Sequence, residues 1–113
     1  MNPNDQKAEF LKGTLDMLIL KVVALGPIHG YAISQRIQQI SNDLFQVQQG
    51  SLYPALHRLE DRAWLQAEWR ATETGREAKF YSLTRKGRKQ LEAEVRNWEQ
   101  ISDAVGLILR TVE

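Results

Sequence analysis

The stretch QQGSLYPALHRLEDRAWL, Gln48 to Leu65, holds one of the two histidines of this 113-residue chain beside two arginines, Arg58 and Arg62. At 100° per residue, Leu52, Leu56 and Leu59 share one helix face. Opposite them lie Gly50, Ser51, Pro54, His57, Arg58 and Asp61, with Tyr53 at the flank. The leucines predict a helix held down on a core. The other face begins small or polar, which permits close approach to a surface. It then carries an imidazole and a guanidinium, groups that hydrogen-bond to base edges or phosphates. Free N–H groups at the helix start offer a further anion site. A helix whose outer face is simply solvated is the plain alternative.

Other cations cluster downstream. Arg76 and Lys79 fall on or near a turn-like segment, TETGRE, with Arg70 just before it, and TRKGRK (Thr84 to Lys89) adds four positive charges. Between Gly50 and Gln90 there are nine Lys/Arg against five acids, and from Leu91 onward two against five. The net charge of +1 therefore conceals a basic middle and an acidic tail, a split that suits a polyanion in the middle and another task for the tail.

Several classes are excluded. Without cysteine there is no disulfide scaffold, thiolate metal site or thiol nucleophile. His29 and His57 have no partner at ligand spacing, and no paired-carboxylate or Gly-rich phosphate motif is visible. The expectation is a non-enzyme with no cofactor and no metal. Asp16 and Lys21 interrupt the most apolar run, TLDMLILKVVAL, so no membrane span is expected and the location expected is cytoplasmic.

The elements that must position these residues follow from periodicity. A helix is predicted from about residue 5 to 25, with one stripe on Leu11, Leu15, Leu18, Val22 and Leu25 and a second on Phe10, Gly13, Met17, Leu20 and Ala24. Two stripes suggest packing on both sides, as for a helix shared between core and dimer interface. Gly26 and Pro27 end it, and His29 reads as a residue at the next helix start. The second helix is expected from about 30 to 41. The third is expected from about 51 to 62, with Ser51 as N-cap and Pro54 in the first turn. From Leu65 the period is two, predicting strands 65–71 and 78–83 joined by a polar tip. From Thr84, the expected cap, to about Val112 one long helix is expected, on the order of 40 Å. Its seam is Leu91, Val95, Trp98, Ile101, Val105, Ile108 and Val112, of the coiled-coil kind. Three helices followed by a hairpin is the winged helix-turn-helix order. The fold class expected is mostly α with a small β-hairpin (α+β), plus a long C-terminal dimerisation helix.

Three segments, LKGTLDMLILKVVALGPIHGYAISQRI, QQGSLYPALHRLEDRAWL and REAKFYSLTRKGRKQLEAE, resemble the PadR family of bacterial transcriptional regulators. The resemblance runs from about Leu11 to Trp98 and points to members with a single C-terminal helix. It implies a homodimeric winged-helix repressor that binds a double-stranded DNA operator, with the C-terminal helix of one subunit on the first helix of the other. Its DNA-facing positions fall on Tyr31, on Ser51, Tyr53 and His57, and on the wing around Arg76 and Lys79; Arg58 joins them from the helix-face reading above. Residues 1–84 would form the DNA-binding domain and 85–113 the dimerisation helix. Some drug-binding members place an aromatic near Trp98, so a small planar hydrophobic inducer would bind there, unless Trp98 only anchors the interface. A protein-interaction module using the apolar seam without DNA is the alternative from another class.

Overall fold

The structure, a computed structural model, describes residues 3–112. Helix α1 spans Pro3–Ala24, α2 Gly30–Ile40, α3 Gln49–Asp61 and α4 Arg85–Leu109. Strands β2 (Leu65–Ala71) and β3 (Glu77–Leu83) form the expected hairpin, in antiparallel register from Leu65 opposite Leu83 to Ala71 opposite Glu77. A two-residue strand β1, Ile28–His29, pairs with Tyr81 and Phe80 and completes a sheet of order β1-β3-β2. Two residues are too few to show a period, so β1 was not legible in advance. The expected fold class, α+β with a winged helix-turn-helix, is the one observed.

The core lies where α1, α2 and α3 converge on the sheet. Ile19, Leu20, Ile33, Leu52, Leu56 and Leu59 are fully buried, joined by Leu65 and Tyr81 from the hairpin and Leu91 from α4. The buried arc of α1 takes in Leu11, Leu15 and Val22 of the first expected stripe and Leu20 of the second. It centres on Ile19 and Val23, which lie between the two stripes around the helix, while Leu25 is exposed because α1 ends at Ala24. The Phe10–Gly13–Met17 side is left facing a groove against α4.

Helix termini explain the hinges. His29 caps α2, its Nδ1 accepting from the Ala32 N–H at 3.4 Å. Helix α3 begins two residues earlier than expected, with Gln48 as N-cap and no side-chain cap bond, so Ser51 is not the cap. Pro54 consequently stands in the second turn and deprives the Gly50 carbonyl of its helical partner. That is tolerable on an exposed face, where water reaches the carbonyl. At the other end of α3 the Trp64 N–H returns to the Leu59 carbonyl and the Ala63 N–H to that of Glu60, a Schellman closure. It holds Ala63 at φ +61, in the left-handed region.

Thr84 caps α4 as expected. Its Oγ1 accepts from the Gly87 N–H at 2.9 Å and donates to the Ala63 carbonyl at 2.6 Å, tying α4 to the joint between α3 and β2. Gly87 is there for space, since a Cβ would overlap the Trp64 carbonyl oxygen. Beyond Val95 the helix leaves the body. Trp98 is 38% exposed, Ile101 50%, Ile108 72% and Val112 90%, in a molecule measuring 61 × 32 × 21 Å. From Ile101 onward the seam on α4 is thus exposed among the described residues.

Candidate nucleic-acid interface

The face of α3 that would meet a surface is built by what lies beneath it. Leu52, Ala55, Leu56 and Leu59 are buried, so Gly50, Ser51, Tyr53, Pro54, His57 and Arg58 point outward and are exposed. Gly30, at the start of α2, lets α3 approach closely. A Cβ there would lie 3.0 Å from Cε1 of Tyr53, so the first turns of α3 sit against the start of α2. Tyr31, the next residue, is 53% exposed. Tyr31, Ser51, Tyr53 and His57 therefore belong to one exposed end of the helix pair.

The two flanks of α3 are clamped. On one, Arg58 Nη2 donates to Asp16 Oδ1 of α1 at 3.0 Å. On the other, Lys79 Nζ of β3 donates to Glu60 Oε1 at 3.0 Å. Lys79 is therefore not a residue of the wing tip. It sits opposite Trp69, two pairs from the hairpin end, with its ammonium turned back onto α3 and 5.6 Å from the Tyr81 ring centroid. The hydrogen bond to Glu60 holds its pKa above the ordinary 10.5, although partial burial pulls the other way. Burial raises the Tyr81 phenol above its ordinary 10.0.

The wing itself is a hairpin tip spanning residues 72–76, closed by the Thr72 N–H on the Arg76 carbonyl, with Gly75 at φ +83. Arg76 is exposed there and has no ion-pair partner among the described residues. Arg70 is already occupied, pairing with Glu68 and lying over the Phe80 ring at 5.4 Å. Trp69, 66% exposed on the same strand, marks how far the wing projects beyond the core. Of Arg58, Arg76 and Lys79, Arg76 has no ion-pair partner among the described residues, while Arg58 and Lys79 are held. Asp16 and Glu60, which hold them, carried no signal in the sequence. They are 42 and 19 residues from their partners.

Trp98 lies elsewhere. It meets Phe10 of α1 edge to face, with centroids 5.8 Å apart, and Phe10 in turn stacks on Phe45. Together with Met17 and Glu94 it borders a groove of about 500 Å³ between α1 and α4. Glu94 takes a hydrogen bond from Gln90 on one oxygen, and its other oxygen is buried with no partner among the described residues. Among those residues no three His, Asp or Glu side chains gather to hold a metal ion, and no helix is long and apolar enough to cross a membrane.

Known proteins resemble this chain in sequence and fold. Residues 19–93 match the family described as transcriptional regulator PadR-like. A transcriptional regulator of Mycobacterium tuberculosis is 33% identical over 97 residues, covering 86% of this chain and 87% of that protein. The crystal structure of a PadR-like transcriptional regulator from Bacillus cereus superposes with a TM-score of 0.81 at 29% identity, covering 92% of this chain and 99% of the other. That of a PadR family transcriptional regulator from Eggerthella lenta does so at 0.82 and 28%, covering 96% and 93%.

Proposed function

Because the chain belongs to the PadR-like family of transcriptional regulators, which are not enzymes, we propose that it is a homodimeric repressor that binds an operator duplex and leaves it when a small molecule binds. The observation that carries this reading is the exposed first half of α3. Ser51, Tyr53 and His57 stand clear on a helix whose other face is locked in the core. In the major groove these side chains would read base edges, with Tyr31 beside them. Arg76, on the wing, would meet phosphate, setting register without reading sequence.

The division of labour follows the chain. Residues 1–84 serve DNA, and 85–113 serve dimerisation through the exposed seam of α4 against α1 of a second copy. A two-fold dimer expects half-sites roughly 10 base pairs apart, centre to centre. Such a regulator works in the cytoplasm, where the DNA is.

The inducer would enter the α1–α4 groove. Phe10 and Trp98 offer aromatic faces and Glu94 an unpaired carboxylate oxygen, a combination suited to a flat hydrophobic cation. Trp98 is equally fit to be a packing residue, and the two roles separate by titration. With an inducer site, planar cationic dyes quench indole fluorescence saturably, and Trp98→Ala keeps a folded dimer but loses the response. With packing alone, the wild type shows no saturable response and the variant melts lower. The DNA reading is tested by selecting duplexes from a random-sequence library and titrating them by fluorescence anisotropy. Failure to enrich any sequence would count against it.

A further inference from the structure

We propose that Asp16 is a specificity-determining positioning residue, which acts on DNA through Arg58 without touching DNA itself. The inference rests on the reading of α3 as the recognition helix and goes one step beyond it. Arg58 follows His57 on the exposed side of α3, yet its guanidinium is fixed from behind by a carboxylate on another helix, Nη2 to Oδ1 at 3.0 Å. The contact is single, so one terminal N–H is used and the other donors of the planar fork remain available. Half of the Arg58 side chain stays exposed, against 26% for Asp16.

A long arginine on a free tether finds any nearby phosphate. Such contacts strengthen binding to every sequence and inform on none. An arginine whose plane is set in advance offers its fork in one pose, which only a base edge or phosphate at the right place can meet. The Asp16 carboxylate also cancels the Arg58 charge locally, which weakens attraction to arbitrary DNA. Both effects raise the ratio of operator binding to non-specific binding. The clamp on the other flank, Lys79 on Glu60, keeps α3 from rolling as Arg58 is loaded.

The test uses the full chain, an operator duplex selected by the wild type from a random library, and a scrambled duplex of equal length and composition. Anisotropy titrations at several salt concentrations give both affinities. Asp16→Asn should lower the operator-to-scrambled ratio about tenfold, the worth of one well-placed base contact. Affinity for the scrambled duplex should hold or rise, and its salt slope should steepen by about 1, as a freed Arg58 neutralises a phosphate. In an Arg58→Ala background Asp16→Asn should change neither quantity, and Asp16→Glu should recover the ratio. If Asp16→Asn folds poorly, Arg58→Lys reads the same point: it keeps the charge but not the planar fork, and should lose the ratio while retaining scrambled binding. Equal losses on both duplexes, an Asp16→Asn effect that persists without Arg58, or an unchanged ratio would overturn the proposal. A wild type that discriminates no duplex would remove the recognition-helix reading as well, whereas one that discriminates while Asp16→Asn matches it removes only the role of Asp16.

Discussion

Lys79, in the middle of the β2–β3 hairpin, reaches back 3.0 Å to Glu60 on α3 and ties the hairpin to the helix. The pair is partly exposed, so at neutral pH Lys79→Met should cost no more than about 1 kcal/mol. Its pH dependence has a definite sign. The Lys79 pKa is raised in the fold, chiefly by the bond to Glu60, so its contribution is complete below the ordinary 10.5 and lost as pH rises through the raised value. The neighbouring Tyr81 phenol, raised by burial, acts in the same direction above 10.0. Melting temperature should fall above pH 10, and the Lys79→Met, Tyr81→Phe double variant should show a flatter decline. Equal slopes in circular-dichroism melts from pH 8 to 11 would refute this.

The wing tip and the helix face should fail differently. Arg76→Ala should weaken binding to all duplexes alike and reduce the salt slope by about 1. His57→Ala should leave the slope alone and relax discrimination at one base pair, by roughly 1–3 kcal/mol if it reads an edge. Salt-dependent anisotropy separates the two. An unchanged isotherm for Arg76→Ala means that the wing is not a DNA element.

The exposed seam of α4 gives the third expectation. Ile101 and Ile108 are 50% and 72% exposed on a helix with little beneath its far end. Replacing both by Asp should produce a folded monomer or an unfolded chain in sedimentation velocity, because buried carboxylates cannot be solvated at an apolar interface. A stable dimer after that change would place the interface elsewhere.

Two positions test the joints that tie α3, the hairpin and α4 together. Ala63 holds φ +61 at the close of α3, where a Cβ costs about 1 kcal/mol or more, so Ala63→Gly should stabilise the protein by about that much. Gly87→Ala should do the reverse, by roughly 1–3 kcal/mol or more, since the new methyl meets the Trp64 carbonyl and pushes α4 off its cap. Urea midpoints for both variants check the pair of signs.

Much of this protein was already determined by its local pattern. Period-3.6 stripes and period-2 alternation gave three helices, a hairpin and a long last helix, with the Thr84 cap and the role of His29 at a helix start, because backbone hydrogen bonds and amphipathic faces involve near neighbours in the chain. The exposed face of α3 followed for the same reason, since burying Leu52, Leu56 and Leu59 forces His57 outward. What tertiary structure decided lies in contacts between residues far apart in the chain. The sequence placed Lys79 near the wing tip and Arg58 on a free face. Packing turned one onto Glu60 and the other onto Asp16, because a charge pairs with whatever the fold brings within about 4 Å, and no periodicity encodes a partner 42 residues away. The arc of α1 that is buried was decided in the same way. Both stripes feed the core through Leu15, Val22 and Leu20, but its centre falls on Ile19 and Val23 between them, since the sheet, α2 and α3 approach α1 from that side and leave Phe10 and Met17 to the groove.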